Sequence, residues 1–302
     1  MLLVTGAAGF VGSRLVARLA QEGERAHALV RDASTARNVL PADGYDLFIG
    51  DTTLPSTMDA ALAGADTVIH TAFITNDRKQ RPGVDYYKTN VLGTRNLLAA
   101  AKRAGVSRVI VLTGLGTMMR WTTGSYMHGR YEAVQAVRES GLAWSALGPS
   151  IMFGPRAAFF KGLSDLIRSV PIVVPMIGDG KVEFQPIWVE DVVTCLIAMA
   201  REPERYDGRV IDVGGPEVYT YAQILDLLMA KLHKRRIKVP GPMPLASLGA
   251  SMMELVLPKP PVTRAAMALF ESPNVTDIDA VEKNFGFTPR SLKSYLDENP
   301  PD

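Results

Sequence analysis

The chain has 302 residues, with 33 lysines and arginines against 31 aspartates and glutamates, so its formal charge is +2 at pH 7, and 47% of it is apolar. That balance excludes disordered, collagen-like and disulfide-rich classes and leaves no broad basic footprint, so no nucleic-acid partner is expected. One dense basic run, Lys231 to Lys238, reads as a solvated helix end. The single cysteine, Cys195, lies in an apolar helical stretch, which predicts a reducing compartment and neither a disulfide nor a metal site.

Met1 to Val4 run straight into a glycine loop, which predicts no cleavable leader and a cytosolic setting, peripheral to a membrane at most. No apolar run reaches the roughly 20 residues that span a bilayer. Short β-rich runs follow at Leu2–Thr5, His27–Val30, Leu47–Ile49, Thr67–Thr71, Arg108–Thr113 and Ala143–Leu147. Between them lie stretches with helical spacing at Val11–Ala20, Leu54–Leu62, Val91–Ala104 and Tyr126–Ser140. Nearly all-apolar strands alternating with helices predict an α/β fold with a doubly wound parallel sheet.

After Pro149 the prolines 149, 155, 171, 175 and 186 and glycines 148, 154, 178 and 180 cut the chain into short pieces. Regular structure is expected again at Ile187–Val189, in a helix from Glu190 to Arg201 that opens on acidic residues, and in a strand at Val210–Val213. Helices are expected near Ala222–Leu232, Leu245–Leu257 and Arg264–Phe270. The organisation predicted is a core over 1–153, rejoined by 187–213, with a smaller, mostly helical lobe over 154–302 for substrate or partner.

The strongest chemical signal is Thr5-Gly6-Ala7-Ala8-Gly9-Phe10-Val11-Gly12 between the first strand and the first helix. Gly6 permits a tight turn, Gly9 lets backbone approach a pyrophosphate, Gly12 lets the helix pack closely, and the helix N-terminus offers N–H donors. A dinucleotide is therefore the expected cofactor. The second strand ends Val30-Arg31 where an NAD-type site would carry a carboxylate, which favours NADP(H) over NAD(H). A planar guanidinium at Arg31 suits a 2′-phosphate, and its alternative is a solvated loop arginine beside Asp32.

The Gly6, Gly9, Gly12 spacing resembles that of the short-chain dehydrogenase/reductase superfamily. Its extended branch is matched by Val68-Ile69-His70-Thr71-Ala72, by Asn90-Val91-Leu92-Gly93-Thr94 and by Pro149-Ser150-Ile151-Met152-Phe153-Gly154-Pro155. Phe184 to Val192 and Pro258–Phe270 resemble the atypical group that includes the NADPH-binding accessory subunit of respiratory complex I. The resemblance implies a Rossmann core, with Thr71, Ala72 and Phe73 beside the cofactor phosphates and ribose and Pro149, Ser150 and Ile151 beside the nicotinamide. It also implies cofactor contacts at Ala8, Phe10, Val11, Thr52 and Asn90. Asp51 is implied near the adenine amine; capping the next helix is its alternative role.

Active members use a tyrosine as proton donor, a lysine four residues on, and a serine or threonine hydroxyl that orients substrate. A phenol with a pKa of roughly 10 relays protons poorly at neutral pH unless a cation stabilises the phenolate. The matching residues are Tyr126 and Arg130, one helical turn apart, with Thr113 as hydroxyl candidate and Thr117 behind it. Arg130 can hold ribose and favour the phenolate but stays charged, so it relays no proton. Gly148 stands where relatives carry an arginine, which weakens an epimerase reading.

His128 is expected on a helix surface, and His70 as a satisfied core side chain. Met118, Met119, Trp121, Phe159 and Phe160 either wall an apolar pocket or pack the core. The stretch 243–258, whose only charge is Glu254, is either a lobe helix or a face for a protein or membrane surface. Two functions follow: an NADPH-dependent oxidoreductase or isomerase on a small apolar carbonyl or alcohol, and a non-catalytic NADPH-binding accessory or redox-sensing subunit.

Overall fold

Short apolar strands that bury both faces set the frame. The computed structural model describes residues 1–74, 86–119, 121, 125–241, 268–270, 272–299 and 301. The chain divides into two compact units: Met1–Ile74 with Arg81–Gly148 and Val192–Asp212, and Thr75–Gln80 with Pro149–Asp191 and Val213–Asp302.

In the first unit β1 (Leu2–Thr5), β2 (Ala26–Val30), β3 (Tyr45–Ile49), β4 (Thr67–His70), β5 (Arg108–Leu112) and β6 (Ala143–Pro149) pair in parallel. With strand Val210–Val213 beside β6 they form a seven-stranded sheet, ordered Val210–Val213, β6, β5, β4, β1, β2, β3. Period-two alternation explains its double burial. Leu3, Val68, Val109 and Val111 join Leu97, Val134 and Val137 in one apolar cluster. Their neighbours Val4, Ile69 and Ile110 turn to the other side and are buried there.

Helix α1 (Gly12–Gln21) buries Leu15, Val16 and Leu19, spaced as an amphipathic helix requires. α2 (Ala33–Arg37) is capped by Asp32, whose carboxylate accepts from the N–H groups of Ser34 and Thr35. α3 (Asp59–Leu62) is short, following a 3₁₀ turn at Pro55–Thr57. α4 (Gly93–Arg103) is preceded by wide π-helical turns over Tyr87–Leu92, so the helical stretch expected over Val91–Ala104 begins earlier than its spacing predicts. α5 (Tyr126–Arg138) is capped by Ser125.

The second unit is irregular, as its prolines predict, with one correction. Ala158–Ser169 forms a 12-residue helix within the stretch expected to break into pieces. It buries Phe160, Leu163, Ser164 and Ile167, and that tertiary burial outweighs the flanking breakers. Phe159, half-buried, packs on Phe160, Phe184 and Phe270, and Phe160 is buried. The helix after Thr220, Tyr221–Lys231, starts with a reciprocal capping box to Gln223. The basic run therefore leaves its helix at Lys231 and enters a strand, Ile237–Gly241. The stretch 243–258 and the helices expected at Leu245–Leu257 and over most of Arg264–Phe270 lie outside the described residues. No described helix is long and apolar enough to cross a membrane.

Candidate functional site

The sheet order reverses between β1 and β4, the point where open α/β sheets leave a crevice at their strand ends. Thr5 and His70 are Cα partners there. Thr71 donates from its hydroxyl to the Thr5 carbonyl at 2.8 Å, and the glycine loop springs from the same place. Gly6 takes φ +65°, and a Cβ on it would lie 2.8 Å from the Cα of Ala72. Gly9 and Gly12 both crowd the Gly6 carbonyl, at 2.9 and 2.3 Å from their ideal Cβ positions. The loop is thus closed against 71–72 by backbone alone. Val11, the N-cap of α1, makes no side-chain capping bond, while the N–H groups of Ser13 and Arg14 donate to the Gly9 and Val11 carbonyls, both at 3.1 Å, and the helix N-terminus faces the glycine loop. These features fit a dinucleotide pyrophosphate.

Buried polar groups behind the loop are satisfied. His70 meets Thr5 Oγ1 at 2.7 Å through Nδ1 and Thr94 Oγ1 at 3.0 Å through Nε2. Burial, and next the charge of Arg130, pushes His70 down to about 3, so it is neutral. It is a satisfied core histidine. Asn90, buried in the π-helical turns, clamps Ile74 from both sides: Oδ1 accepts from its N–H at 2.8 Å and Nδ2 donates to its carbonyl at 3.2 Å. This fixes the end of the 71–74 segment.

Tyr126 and Arg130 face each other across one turn of α5, as their spacing predicts. Arg130 Nε donates to the Tyr126 hydroxyl at 2.5 Å, and both side chains are buried. The guanidinium lies 5.1 Å from the Phe73 ring centre and 5.0 Å from that of Tyr126. No carboxylate among the described residues pairs with it, so its charge is stabilised by π faces, the phenol and the Leu112 carbonyl at 3.5 Å. A buried cation without a counter-ion favours the anionic form of whatever acid it touches.

The Thr113 hydroxyl is engaged by Thr117. Thr117 donates its one hydroxyl proton to the Gly114 carbonyl at 2.5 Å. Its oxygen therefore accepts in the 2.8 Å contact with Thr113, and Thr113 is the donor. The Thr113 proton is spent inside the protein, and its oxygen is left only as an acceptor.

Residues 6–155 match the family described as NAD(P)H-binding. An NAD(P)H azoreductase from Xenophilus azovorans is 30% identical over 235 residues, covering 76% of this chain and 73% of that protein. Subunit 9 of the mitochondrial NADH dehydrogenase [ubiquinone] 1 alpha subcomplex, from Arabidopsis thaliana, is 23% identical over 96% of this chain and 71% of its own length. Among solved structures, an NADPH-dependent quinone oxidoreductase from Escherichia coli, complexed with NADPH, has a TM-score of 0.77 at 16% identity, covering 99% of both chains. The chain belongs to the short-chain dehydrogenase/reductase superfamily. It is an atypical, NAD(P)-binding member of this oxidoreductase family, and the doubly wound sheet is the superfamily's own.

The remaining positions of this reductase-family chain fall as follows. Arg31 is exposed just beyond β2, and Asp32 is committed to capping α2 rather than to Arg31. Asp51 Oδ1 accepts from the N–H and hydroxyl of Thr53, both at 2.8 Å, a local turn that caps neither the 3₁₀ turn Pro55–Thr57, whose N-cap is Leu54, nor α3, whose N-cap is Met58. Thr52 is buried beside it, with its carbonyl accepting from Asn96 at 3.1 Å. Ala8, Phe10 and Val11 complete the loop, with Arg14 bonded to the Phe10 carbonyl at 2.6 Å. His128 lies partly buried on α5, 3.6 Å from Glu132. Met118 and Met119 are exposed, so they are not core, and Trp121 donates to the Gly116 carbonyl at 3.0 Å.

In the second unit, Ser150 and Ile151 are held by Asn274, whose Oδ1 accepts from the Ser150 hydroxyl at 2.7 Å and the Ile151 N–H at 3.0 Å. Asn274 carried no sequence signal. Asp212, also missed, left one: a lone charge in the apolar strand Val210–Val213. Its Oδ2 accepts from the Gly116 N–H at 3.2 Å, while Oδ1 is buried without a hydrogen-bond partner. Burial pushes its carboxyl above the usual range, against the opposing pull of that N–H.

Proposed function

We propose that the chain is an NADPH-dependent oxidoreductase acting on a small, largely apolar carbonyl or quinone, with Tyr126 as the proton donor. The observation that carries this reading is the buried Arg130 guanidinium, unpaired with any described carboxylate and hydrogen-bonded to the Tyr126 hydroxyl. Bound in the glycine cradle, the reduced cofactor supplies a hydride from its nicotinamide to the substrate carbonyl carbon. The chain's own part is the proton: Tyr126 gives its phenolic hydrogen to the carbonyl oxygen, and Arg130 holds the resulting phenolate. Because Thr113 donates internally, the proposal assigns it no carbonyl-orienting hydrogen bond. The preference for NADPH rests on Arg31, exposed where NAD-type sites carry an acid.

One observation favours a second reading, the non-catalytic NADPH-binding subunit: the Thr113 hydroxyl is committed to Thr117. One experiment separates the two. Nucleotide released from the purified protein is identified, and NADPH oxidation is followed with a panel of quinones and apolar carbonyls. Exchangeable NADPH consumed by any panel member, and lost in Tyr126→Phe, supports the reductase. Tightly retained NADPH that no acceptor oxidises supports the accessory role and overturns the first reading.

A further inference from the structure

The two-stranded parallel sheet of the second unit turns an apolar side to water. Its register pairs Val173 with Ile237 and Pro175 with Val239, so these four side chains share one face. The alternate residues Val174 and Met176 are buried on the other. A strand with one solvated face normally places polar residues there. Here Ile237 is 63% exposed, Val239 43% and Val173 40%, and Ile172, which immediately precedes the strand and borders this face, is 63% exposed.

Charge lies directly beside this strip. His233, Lys234, Arg235 and Arg236 immediately precede Ile237 and line an open hollow next to the helix Tyr221–Lys231. The outer lysines of the run are neutralised, Lys231 by Asp297 and Lys238 by Asp226 at 2.6 Å. Those between are not. Lys234, Arg235 and Arg236 pair with no described carboxylate; the first two are exposed, and Arg236 Nε donates to the neutral carbonyl of Val170 at 2.7 Å. Exposed branched aliphatics on one side of the sheet, flanked by cations on flexible stems that no described carboxylate pairs, complement a surface with negative charge outside and apolar depth beneath.

We propose that this face docks on an anionic lipid bilayer. Ile172, Val173, Ile237 and Val239 enter the boundary between headgroups and acyl chains, and Lys234, Arg235 and Arg236 take lipid phosphates. The proposal goes beyond the oxidoreductase reading, and its test reads no turnover, so either can fail alone.

The full chain is tested by co-sedimentation with sucrose-loaded vesicles of phosphatidylcholine alone or mixed equally with phosphatidylglycerol, in low and in high salt. The expected result is partition onto the mixed vesicles only, weakened by salt. K234A/R235A, which touches only exposed side chains, should reduce that partition about tenfold or more. Ile172→Ser with Ile237→Ser should reduce it comparably. The proposal is overturned by absence of binding to mixed vesicles, by equal binding to both compositions, or by full binding of either double variant. It is also overturned if the chain is a dimer in solution that the isoleucine variant dissociates, because the strip then belongs to a second copy.

Discussion

The carboxylate of Asp212 occupies the space over the Cα of Gly148: a Cβ on that glycine would lie 2.1 Å from Asp212 Oδ1 and 3.1 Å from the Gly114 carbonyl. A glycine on β6 thus makes room for the acid of the neighbouring strand Val210–Val213, whose Oδ1 is buried. Gly148→Ala should therefore cost about 1–3 kcal/mol by overpacking. Adding Asp212→Ser should return most of that loss. Urea denaturation of the two variants and the parent checks this, and a Gly148→Ala protein as stable as the parent would refute the close approach.

Asp212 also predicts a pH effect. Its folded pKa is raised above the 3.8 of an ordinary aspartate, so the stability it contributes is present below that value and lost as pH rises through the folded pKa. At neutral pH its charged form, with Oδ1 unbonded, is a burden. Asp212→Asn keeps an acceptor for the Gly116 N–H and removes the charge. Its melting temperature should exceed the parent's at pH 7, and the difference should shrink towards pH 4.

The parts of this site that are local in sequence were legible. Gly6, Gly9 and Gly12 declare the cradle by spacing, and Tyr126 and Arg130 declare their contact by helical period. Relationships closed by the fold were not. Asp212 and Gly148 lie 64 residues apart, and Asn274 reaches Ser150 across 124 residues. The proton budget of Thr113 depends on a turn in which Thr117 bonds back to Gly114, which no strand or helix period announces. The helix Ala158–Ser169 was hidden because Pro155 and Pro171 punctuate its surroundings, while the aromatic packing that holds it comes from distant segments.

His70 gives a second pH signature of opposite sign. Its folded pKa is depressed to about 3, while the unfolded chain takes a proton near 6.5. Stability from the neutral ring is thus full above 6.5 and falls as pH drops, with a slope approaching about 1.4 kcal/mol per pH unit. His70→Asn removes that titration. The variant should be less stable at pH 7, having lost bonds to Thr5 and Thr94, yet its urea midpoint should fall less steeply than the parent's between pH 6 and 4. Parallel pH profiles would show that His70 does not titrate in the assigned way.

Tyr126→Phe should lower turnover of a competent acceptor by about 100-fold or more while leaving the NADPH dissociation constant nearly unchanged, because it removes the proton but not the cradle. Arg130→Lys keeps a cation but loses the planar fork between the Phe73 and Tyr126 rings. It should retain part of the activity. Arg130→Met, which leaves the phenol without a cation, should shift the alkaline side of the pH–rate profile upward as the phenol becomes harder to ionise. A profile identical to the parent's would remove Arg130 from the proton step.

The proposed preference for NADPH rests on Arg31. Asp32 gives its carboxylate to Ser34 and Thr35, so the guanidinium next to it is not neutralised by that neighbour and is exposed beyond β2. A charge-assisted bond to a 2′-phosphate is worth roughly 1.5–3 kcal/mol. Arg31→Ala should therefore weaken NADPH binding by about tenfold or more and leave NADH, which lacks that phosphate, almost unaffected. Calorimetric titration of both nucleotides into parent and variant measures the ratio, and equal losses for the two would make Arg31 a structural residue.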